Sequence, residues 1–291
     1  MSEARAPILL YHAVGHHGMA EDRLDTVSAE TLRRQLAALR RRYTLVCVDE
    51  LAAALAGGER SDLAAITFDD AHTSVLAAAL PVLEALEVPA TVFVNGALAE
   101  GGTFWRDKVR HLVRRGLEAD FHRFTSGRFH QPGRSLYFAT KDPRHDSREV
   151  DLALDAFLGP SSEVPREVLA LGALRPHRLL TWGNHGHHHY VLSSLSLERQ
   201  IAEVVATEAT LDRRPDLARS RVFAVPFGCG RHFDHHLLGP LRELGFEAVL
   251  MARNRWSLAS GSPPPGKPVT LDRFHAGRLP RRPALAELLA E

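Results

Sequence analysis

Short apolar runs alternate with helical patterns along most of this chain. The apolar runs have the length of buried strands and lie at residues 7–12, 43–50, 63–70, 89–95, 178–185, 221–228, 246–252 and 268–274. Leucine and alanine recur at helical spacing between them and predict helices at 28–42, 51–58, 75–88, 196–213 and 235–245. Strands that alternate with helices form parallel βα units with right-handed crossovers. Seven or eight such strands favour an α/β barrel over an open sheet.

The stretch 101–176 interrupts this alternation. It is rich in Arg and His, as in "FWRDKVRHLVRRG" and "FHRFTSGRFHQPGRS". We interpret it as a partly helical insertion with solvated charges within a single domain that spans 1–291. The alternative is a lid or substrate-binding region, because the carboxyl end of strand 89–95 would deliver it to the mouth of a barrel.

Composition excludes several classes of protein. The chain has 291 residues, 45% of them hydrophobic and 24% charged, with a net charge of +1. This balance is ordinary for a globular protein and predicts neither a nucleic-acid partner nor an anionic membrane surface. Its two cysteines, Cys47 and Cys229, do not form the framework of a disulfide-stapled scaffold. The first apolar run is too short for a signal peptide or a membrane span, so we expect a cytoplasmic protein.

Two adjacent carboxylates, Asp69 and Asp70, end the predicted strand "LAAITFDD". In parallel α/β folds, functional groups gather at the carboxyl ends of strands. One of the two carboxylates could bind a cation while the other acts as a base. The alternative is a turn or helix-capping pair before the helix at 75–88.

The stretch "GNHGHHHY" holds four histidines within five positions: His185, His187, His188 and His189. Imidazole is the commonest neutral metal ligand, and the first and last of these histidines are four residues apart. The two middle histidines remain alternatives, as does a solvated loop. One Asp with two His would leave open positions for water and substrate, as a hydrolytic metal site requires.

The order and spacing of these motifs resemble those of the NodB-homology polysaccharide deacetylases, carbohydrate esterase family 4. The likeness begins with "ITFDD" and "GNHxxxHxxLSxLS" and continues in "ILLYHAVG", "LPVLEALEVPATVFV" and "RVFAVPFG". The last of these is similar to the third motif of a bacterial branch with "FAYPFG"-type sequences. The resemblance covers most of the chain apart from 101–176 and about the last twenty residues. It implies a distorted (β/α)7-type barrel.

The resemblance also implies roles for individual residues. It makes Asp69 the general base, with Asp70, His185 and His189 as metal ligands, because the family places its second histidine four after the first. The family commonly uses Zn²⁺, which is therefore the expected metal, with Co²⁺, Ni²⁺ and Mn²⁺ as alternatives.

Other carried-over positions depart from the family pattern. Phe227 would hold the oxyanion through its backbone N–H, with Pro226 and His12 beside the substrate and His275 as general acid. Ala224 stands where much of the family has an Arg that orients the base. We therefore hypothesise that Arg273 reaches Asp69 instead, and that Ala71, where a Gly is usual, alters the local turn.

The expected activity is a metal-dependent hydrolysis that removes an N-acetyl group from an amino sugar or small glycoconjugate and releases acetate. Alternatives are an O-acetyl esterase, a deformylase, a catalytically inactive carbohydrate-binding relative, and adventitious metal binding on an unrelated barrel. The expected partner is an acetylated amino sugar rather than a nucleic acid. The sequence does not fix the oligomeric state.

Overall fold

The computed structural model describes residues 5–15, 26–58, 62–159, 164, 167–258 and 266–277. In this part of the chain, the strands are β1 (Arg5–Ala6), β2 (Ile8–Tyr11), β3 (Ala13–Val14), β4 (Thr26–Val27), β5 (Thr44–Val46), β6 (Leu63–Phe68), β7 (Ala90–Val94), β8 (Leu180–Asn184), β9 (Arg219–Ala224), β10 (Ala248–Met251), β11 (Ser257–Leu258), β12 (Val269–Asp272) and β13 (Phe274–His275).

The main sheet is a nearly closed barrel of parallel strands. Its order is β12-β10-β9-β8-β7-β6-β2-β13, and β5 pairs with β6 outside this path. β12 pairs with β10 at one end of the order, and β13 pairs with β2 at the other. A single residue, Arg273, separates β12 from β13, so the chain itself joins the two ends of the sheet. The predicted α/β barrel is confirmed, and a register shift between Trp182 and Asn184 distorts it.

The helices are α1 (Ala29–Arg40), α2 (Val48–Ala56), α3 (Leu80–Leu86), α4 (Gly96–Ala99), α5 (Trp105–Arg114), α6 (Glu118–Phe124), α7 (Leu136–Ala139), α8 (Ser147–Leu158), α9 (Leu197–Asp212) and α10 (Leu238–Glu243). Ser28 caps α1, since its Oγ accepts the Thr31 N–H at 3.0 Å. A π-helical turn, Val75–Ala79, precedes α3 within the predicted helix 75–88. It lies just before Pro81, which lacks the N–H of a regular α-helix.

The predicted strand 43–50 is wrong at its carboxyl end. β5 ends at Val46 and α2 begins at Val48, so the predicted helix 51–58 starts earlier than expected. Asp49 and Glu50 lie in the first turn of α2, where negative side chains favour the positive end of the helix dipole.

The barrel strands are buried on both faces. Alternate residues enter different apolar clusters: Ile8 and Ala65 pack with Leu51 and Leu55 of α2, whereas Leu9 packs with the α1 and α3 layer. α2 contacts β6, β9 and β12, which are not neighbours in the sheet, and it therefore covers the amino-terminal end of the barrel. The candidate functional residues lie at the opposite, carboxyl-terminal end of the barrel strands.

The insertion between β7 and β8 contains α5–α8 and forms most of an apolar cluster, which Leu98, Tyr190 and Leu195 complete. Trp105, Val109, Phe121 and Leu154 are among the buried members of that cluster. The partly helical insertion is therefore a packed layer. Within the described residues, no helix is both long and apolar enough to cross a bilayer.

Candidate active site

A cavity of about 650 Å³ opens at the carboxyl ends of the barrel strands. Strand ends supply one part of its wall, through His12, Asp69, Asp70, His185 and His275. The insertion supplies another part, through residues of α5 and α7. The cavity therefore lies where the barrel meets the insertion, as the lid or substrate-binding alternative for 101–176 requires.

The turn after β6 presents the two carboxylates. Asp70 and Ala71 have φ angles of 64° and 47°, in the left-handed region that residues with a Cβ rarely adopt. The chain returning from the insertion holds this turn, because the Leu169 N–H donates to the Ala71 carbonyl at 2.9 Å and the Thr73 N–H to the Glu167 carbonyl at 2.7 Å. Ala71 therefore holds a left-handed conformation that glycine would adopt without steric cost.

The loop after β8 presents the histidines. His185 donates its Nδ1–H to the Ala224 carbonyl at 2.8 Å, because a carbonyl can only accept. This tautomer leaves the Nε2 lone pair directed at the carboxylates. His189 has a φ of 59°, and its own carbonyl accepts the indole N–H of Trp105 at 3.0 Å. A hydrogen bond from Nδ1 thus orients the His185 ring, whereas His189 is held through its backbone carbonyl.

Asp70, His185 and His189 form a cluster that fits a divalent metal ion. Their nearest oxygen and nitrogen atoms all lie within 4.8 Å of one another. Oδ1 of Asp70 is 3.6 Å from Nε2 of His185 and 3.5 Å from Nε2 of His189. Oδ1 of Asp70 and Nε2 of His185 are buried and have no hydrogen-bond partner, which is costly unless a ligand binds them. Burial lowers the pKa of His189 well below its ordinary value, which favours the neutral form that binds metals.

The other two histidines of the loop lie outside this cluster. Nδ1 of His188 is 2.7 Å from a carboxylate oxygen of Glu203, and the ring stacks on Tyr190. The His187 ring packs so close to Gly96 that a Cβ added to this glycine would lie 2.3 Å from Nδ1 of His187. Of the four candidates, the structure brings together the pair spaced four residues apart.

Arg273 reaches Asp69, as hypothesised. Nη1 and Nη2 of the guanidinium contact Oδ1 and Oδ2 of the carboxylate at 2.6 Å and 2.8 Å, and both residues are buried. Burial opposes ionisation of Asp69, but Arg273 and His185 outweigh it and lower the pKa of this carboxyl to about 2. Oδ2 of Asp69 is also 3.5 Å from Nε2 of His185. An ionised carboxylate therefore stands beside the cluster with both oxygens oriented.

The remaining predicted site residues fall into two groups. His12, Phe227 and His275 line the cavity, and the His12 and His275 rings stack with centroids 6.1 Å apart. Phe227 has a φ of 61°, and its ring packs against His189 at 4.5 Å. Pro226 is buried beside Gly186 and is not among the residues that line the cavity, so its contact with substrate stays a prediction.

Sequence reasoning allowed the insertion a place at the barrel mouth but did not identify which of its residues line the cavity. Arg106, Arg110, Tyr137, Phe138 and Lys141 line the cavity. Their only visible signal is the spacing of arginines in "FWRDKVRHLVRRG", which places the first two on one face of a helix. The positions of the last three depend on how the insertion folds back.

A sequence model of the polysaccharide deacetylase family matches residues 56–149 of this chain. The matched segment contains the Asp69–Asp70 pair and part of the insertion. This match supports deacetylation of a sugar. Among curated proteins, none matches the chain significantly.

Solved structures establish the fold. The deacetylase PplD of Streptococcus pyogenes, in complex with acetate, is similar with a TM-score of 0.57 at 17% identity over 94% of this chain and 93% of that one. IcaB of Ammonifex degensii has a TM-score of 0.56 at 20% identity over 99% and 98% of the two chains. A de-N-acetylase of Aggregatibacter actinomycetemcomitans gives 0.56 at 12% identity over 93% and 94%. The family match and the shared barrel together confirm that this chain resembles the NodB-type polysaccharide deacetylases.

Proposed function

We propose that this protein is a metal-dependent hydrolase that removes an N-acetyl group from an amino sugar or small glycoconjugate and releases acetate. The observation that carries the proposal is the Asp70–His185–His189 cluster beside the Asp69–Arg273 pair, inside one cavity. The family match supports the sugar and the acetyl group.

The three clustered side chains would hold the metal, for which Zn²⁺ is the leading choice among Zn²⁺, Co²⁺, Ni²⁺ and Mn²⁺. A divalent cation bound there would supply Lewis acidity, which lowers the pKa of water and polarises an acyl carbonyl. The Ala224 carbonyl fixes the His185 ring so that its Nε2 faces the cluster. Fixing a ligand in this way raises metal affinity because less freedom is lost on binding.

Asp69 accepts the proton of the attacking water in this mechanism. Its low pKa keeps it ionised at neutral pH, and the bidentate Arg273 contact directs its remaining lone pairs toward the cluster. Arg273 thus acts as a positioning residue through Asp69. Position matters more than basicity here, because the acidity of the water changes when the metal is present.

The backbone N–H of Phe227 is our candidate donor to the oxyanion, and His275, with His12 beside it, is our candidate for protonating the leaving amine. Both assignments rest on placement around the cavity. Phe138 lies at the cavity and is 55% exposed, so it offers an apolar face to a sugar ring.

The test combines metal analysis with acetate release from N-acetylated and matched O-acetylated sugars. Asp69→Asn should retain the metal and lose acetate release by about 10³-fold, within the range for removing a general base. Asp212→Asn, at an exposed carboxylate on α9, is the matched control and should keep both. Full activity of Asp69→Asn would refute the assignment of the base, and release from the ester alone would make the protein an esterase.

A further inference from the structure

Three cationic side chains surround one aromatic ring in the insertion wall. The guanidinium carbons of Arg106 and Arg110 lie 4.4 Å and 5.7 Å from the ring centroid of Tyr137. Nζ of Lys141 lies 4.2 Å from the same centroid and 3.2 Å from the Tyr137 hydroxyl. Burial alone would raise the pKa of the Tyr137 phenol, but Lys141, Arg106 and Arg110 lower it to about 8, as a positive local potential does.

Two of these cations lie one aromatic ring away from the proposed metal ligand His189. Arg110 is 6.0 Å from the ring centroid of Phe104, which packs edge-on to His189 at 5.0 Å. Nζ of Lys141 is 5.1 Å from the ring centroid of Phe227, and the Phe227 ring packs edge-on to the same imidazole with centroids 4.5 Å apart. A sugar that presents its acetyl group to the cluster would therefore have its neighbouring substituents close to both cations.

The charges of the side chains that line the cavity do not balance. Five of these side chains are Arg or Lys: Arg106, Arg110, Arg114 and Lys141 from the insertion, and Arg231 from the loop after β9. Apart from the Asp69–Asp70 pair, the carboxylates that line the cavity are Asp107 and Glu167. Asp69 is already paired with Arg273, and a bound divalent cation would add further positive charge.

The buried cation of the three has a structural role. Arg106 donates to the Thr140 hydroxyl at 2.8 Å and to the Tyr137 carbonyl at 2.6 Å, and it is buried. It therefore ties α5 to α7 and positions Tyr137. Arg110 and Lys141 are only partly buried, and both line the cavity. Arg110 also holds Asp107 at 2.6 Å, so one of its nitrogens serves an internal pair.

We propose that Arg110 and Lys141 form a subsite for an anionic oxygen group, a phosphate or a carboxylate, carried by the acetylated sugar. This inference rests on the proposed function and adds the substrate class to it. Hydrolysis of a neutral acetamide needs no cations at this distance from the cluster. Guanidinium and ammonium groups bind phosphate and carboxylate oxygens by charge-assisted hydrogen bonds.

Kinetics on matched sugars test the subsite. The substrates are N-acetylglucosamine 1-phosphate, N-acetylmuramic acid and uncharged N-acetylglucosamine, and the ratio of kcat/KM for each anionic sugar to the uncharged one is compared among variants. Lys141→Gln and Arg110→Gln should each lower the ratio for the preferred anionic sugar about tenfold, as loss of one charge-assisted hydrogen bond would. Arg33→Gln, at an exposed position on α1, should leave the ratio unchanged. The phosphate and carboxylate arms identify the preferred anion, and an unchanged ratio in both cavity variants overturns the proposal.

Direct binding separates this inference from the proposed function. Calorimetry on the metal-loaded protein with glucosamine 1-phosphate and with inorganic phosphate should show binding that weakens in Lys141→Gln. Such binding without hydrolysis of any acetylated sugar would refute the deacetylase function and keep the anion subsite. Hydrolysis with binding that does not depend on Lys141 or Arg110 would keep the function and refute the subsite.

Discussion

Arg273 is fully buried, and its charge is balanced by one carboxylate at the point where the barrel closes. A buried ion pair is sensitive to the loss of either member, because the charge left behind has no partner. The same contact orients Asp69 beside the proposed metal ligands, so we expect stability and the proposed catalysis to depend on one pair of side chains.

Replacing Arg273 with Gln should destabilise the protein by about 3–5 kcal/mol, the usual cost of breaking a buried pair. The pKa of Asp69 is about 2, below its ordinary value of 3.8, so the pair stabilises the fold fully above pH 3.8 and loses that effect as the pH falls toward 2. Chemical denaturation from pH 7 to pH 3 should therefore show a smaller acid-induced loss in Arg273→Gln than in the wild type.

Arg273→Lys is the control, since it keeps the charge and loses the two-point contact. It should retain more stability than Arg273→Gln while turnover falls and metal content stays constant. Equal turnover in the wild type and Arg273→Lys would show that Asp69 does not depend on two-point orientation.

The strand pattern placed Asp70 and the histidine-rich loop at strand ends that meet. The resemblance to the deacetylase family, rather than the residues alone, selected His189 over His187 and His188, and the structure brings Asp70, His185 and His189 together. Arg110, Tyr137 and Lys141 could not be placed, because no local pattern shows how an insertion returns to a cavity. The structure shows that Arg273 reaches Asp69, whereas its catalytic effect stays a prediction.

At the scale of elements, turns in left-handed conformation present the functional side chains. Asp70, Ala71, His189 and Phe227 all have positive φ, at the ends of three different strands. Such conformations cost of order 1–3 kcal/mol each and persist where surrounding contacts hold them. α5 holds one of these turns, through the Trp105 indole and the His189 carbonyl.

Trp105→Phe should cost about 1–3 kcal/mol, because it leaves the buried carbonyl of His189 without its donor. Metal affinity should fall as well, since the turn that carries this ligand is less constrained. Trp182→Phe is the matched control: its indole donates to the Arg175 carbonyl at 3.1 Å, outside the cavity. Denaturation and metal titration should show similar stability losses but weaker metal binding in Trp105→Phe alone; equal affinities in the two variants would contradict this role of α5.

Element types were predictable because apolar periodicity reports burial, and the barrel strands are buried. Element ends were less predictable. The run at 43–50 reads as one strand, but acidic residues after Cys47 start α2 there. Pro81 converts part of the predicted helix 75–88 into a π-helical turn, which depends on backbone hydrogen bonds that periodicity does not report.

At the scale of the whole molecule, the barrel and the insertion share the cavity. The barrel was predictable from the number of strands, whereas the packed core of the insertion was not, since its helices are short and charged. A metal bound by residues of the loops after β6 and β8 would join two separate parts of the chain and would stabilise the folded state but not the unfolded one.

Removing the metal with a chelator should therefore lower Tm by about 5–10 °C. A metal present at 100 times its Kd stabilises the folded state by about 2.7 kcal/mol, and each kcal/mol shifts Tm by about 2–4 °C for domains of roughly this size. Added Zn²⁺ should restore it. His189→Gln should lose this response, and His188→Gln, one residue away but outside the cluster, should keep it. A chelator response that survives His189→Gln would place the metal elsewhere.

The backbone hydrogen bonds that join Glu167 and Leu169 to Thr73 and Ala71, in the turn after Asp70, have a consequence for redesign. The segment that could be exchanged to change which sugars enter is tied to the backbone that carries the proposed metal ligand Asp70. A graft across 101–176 has to end before Glu167, because a deletion that includes this return segment removes support for catalysis together with selectivity.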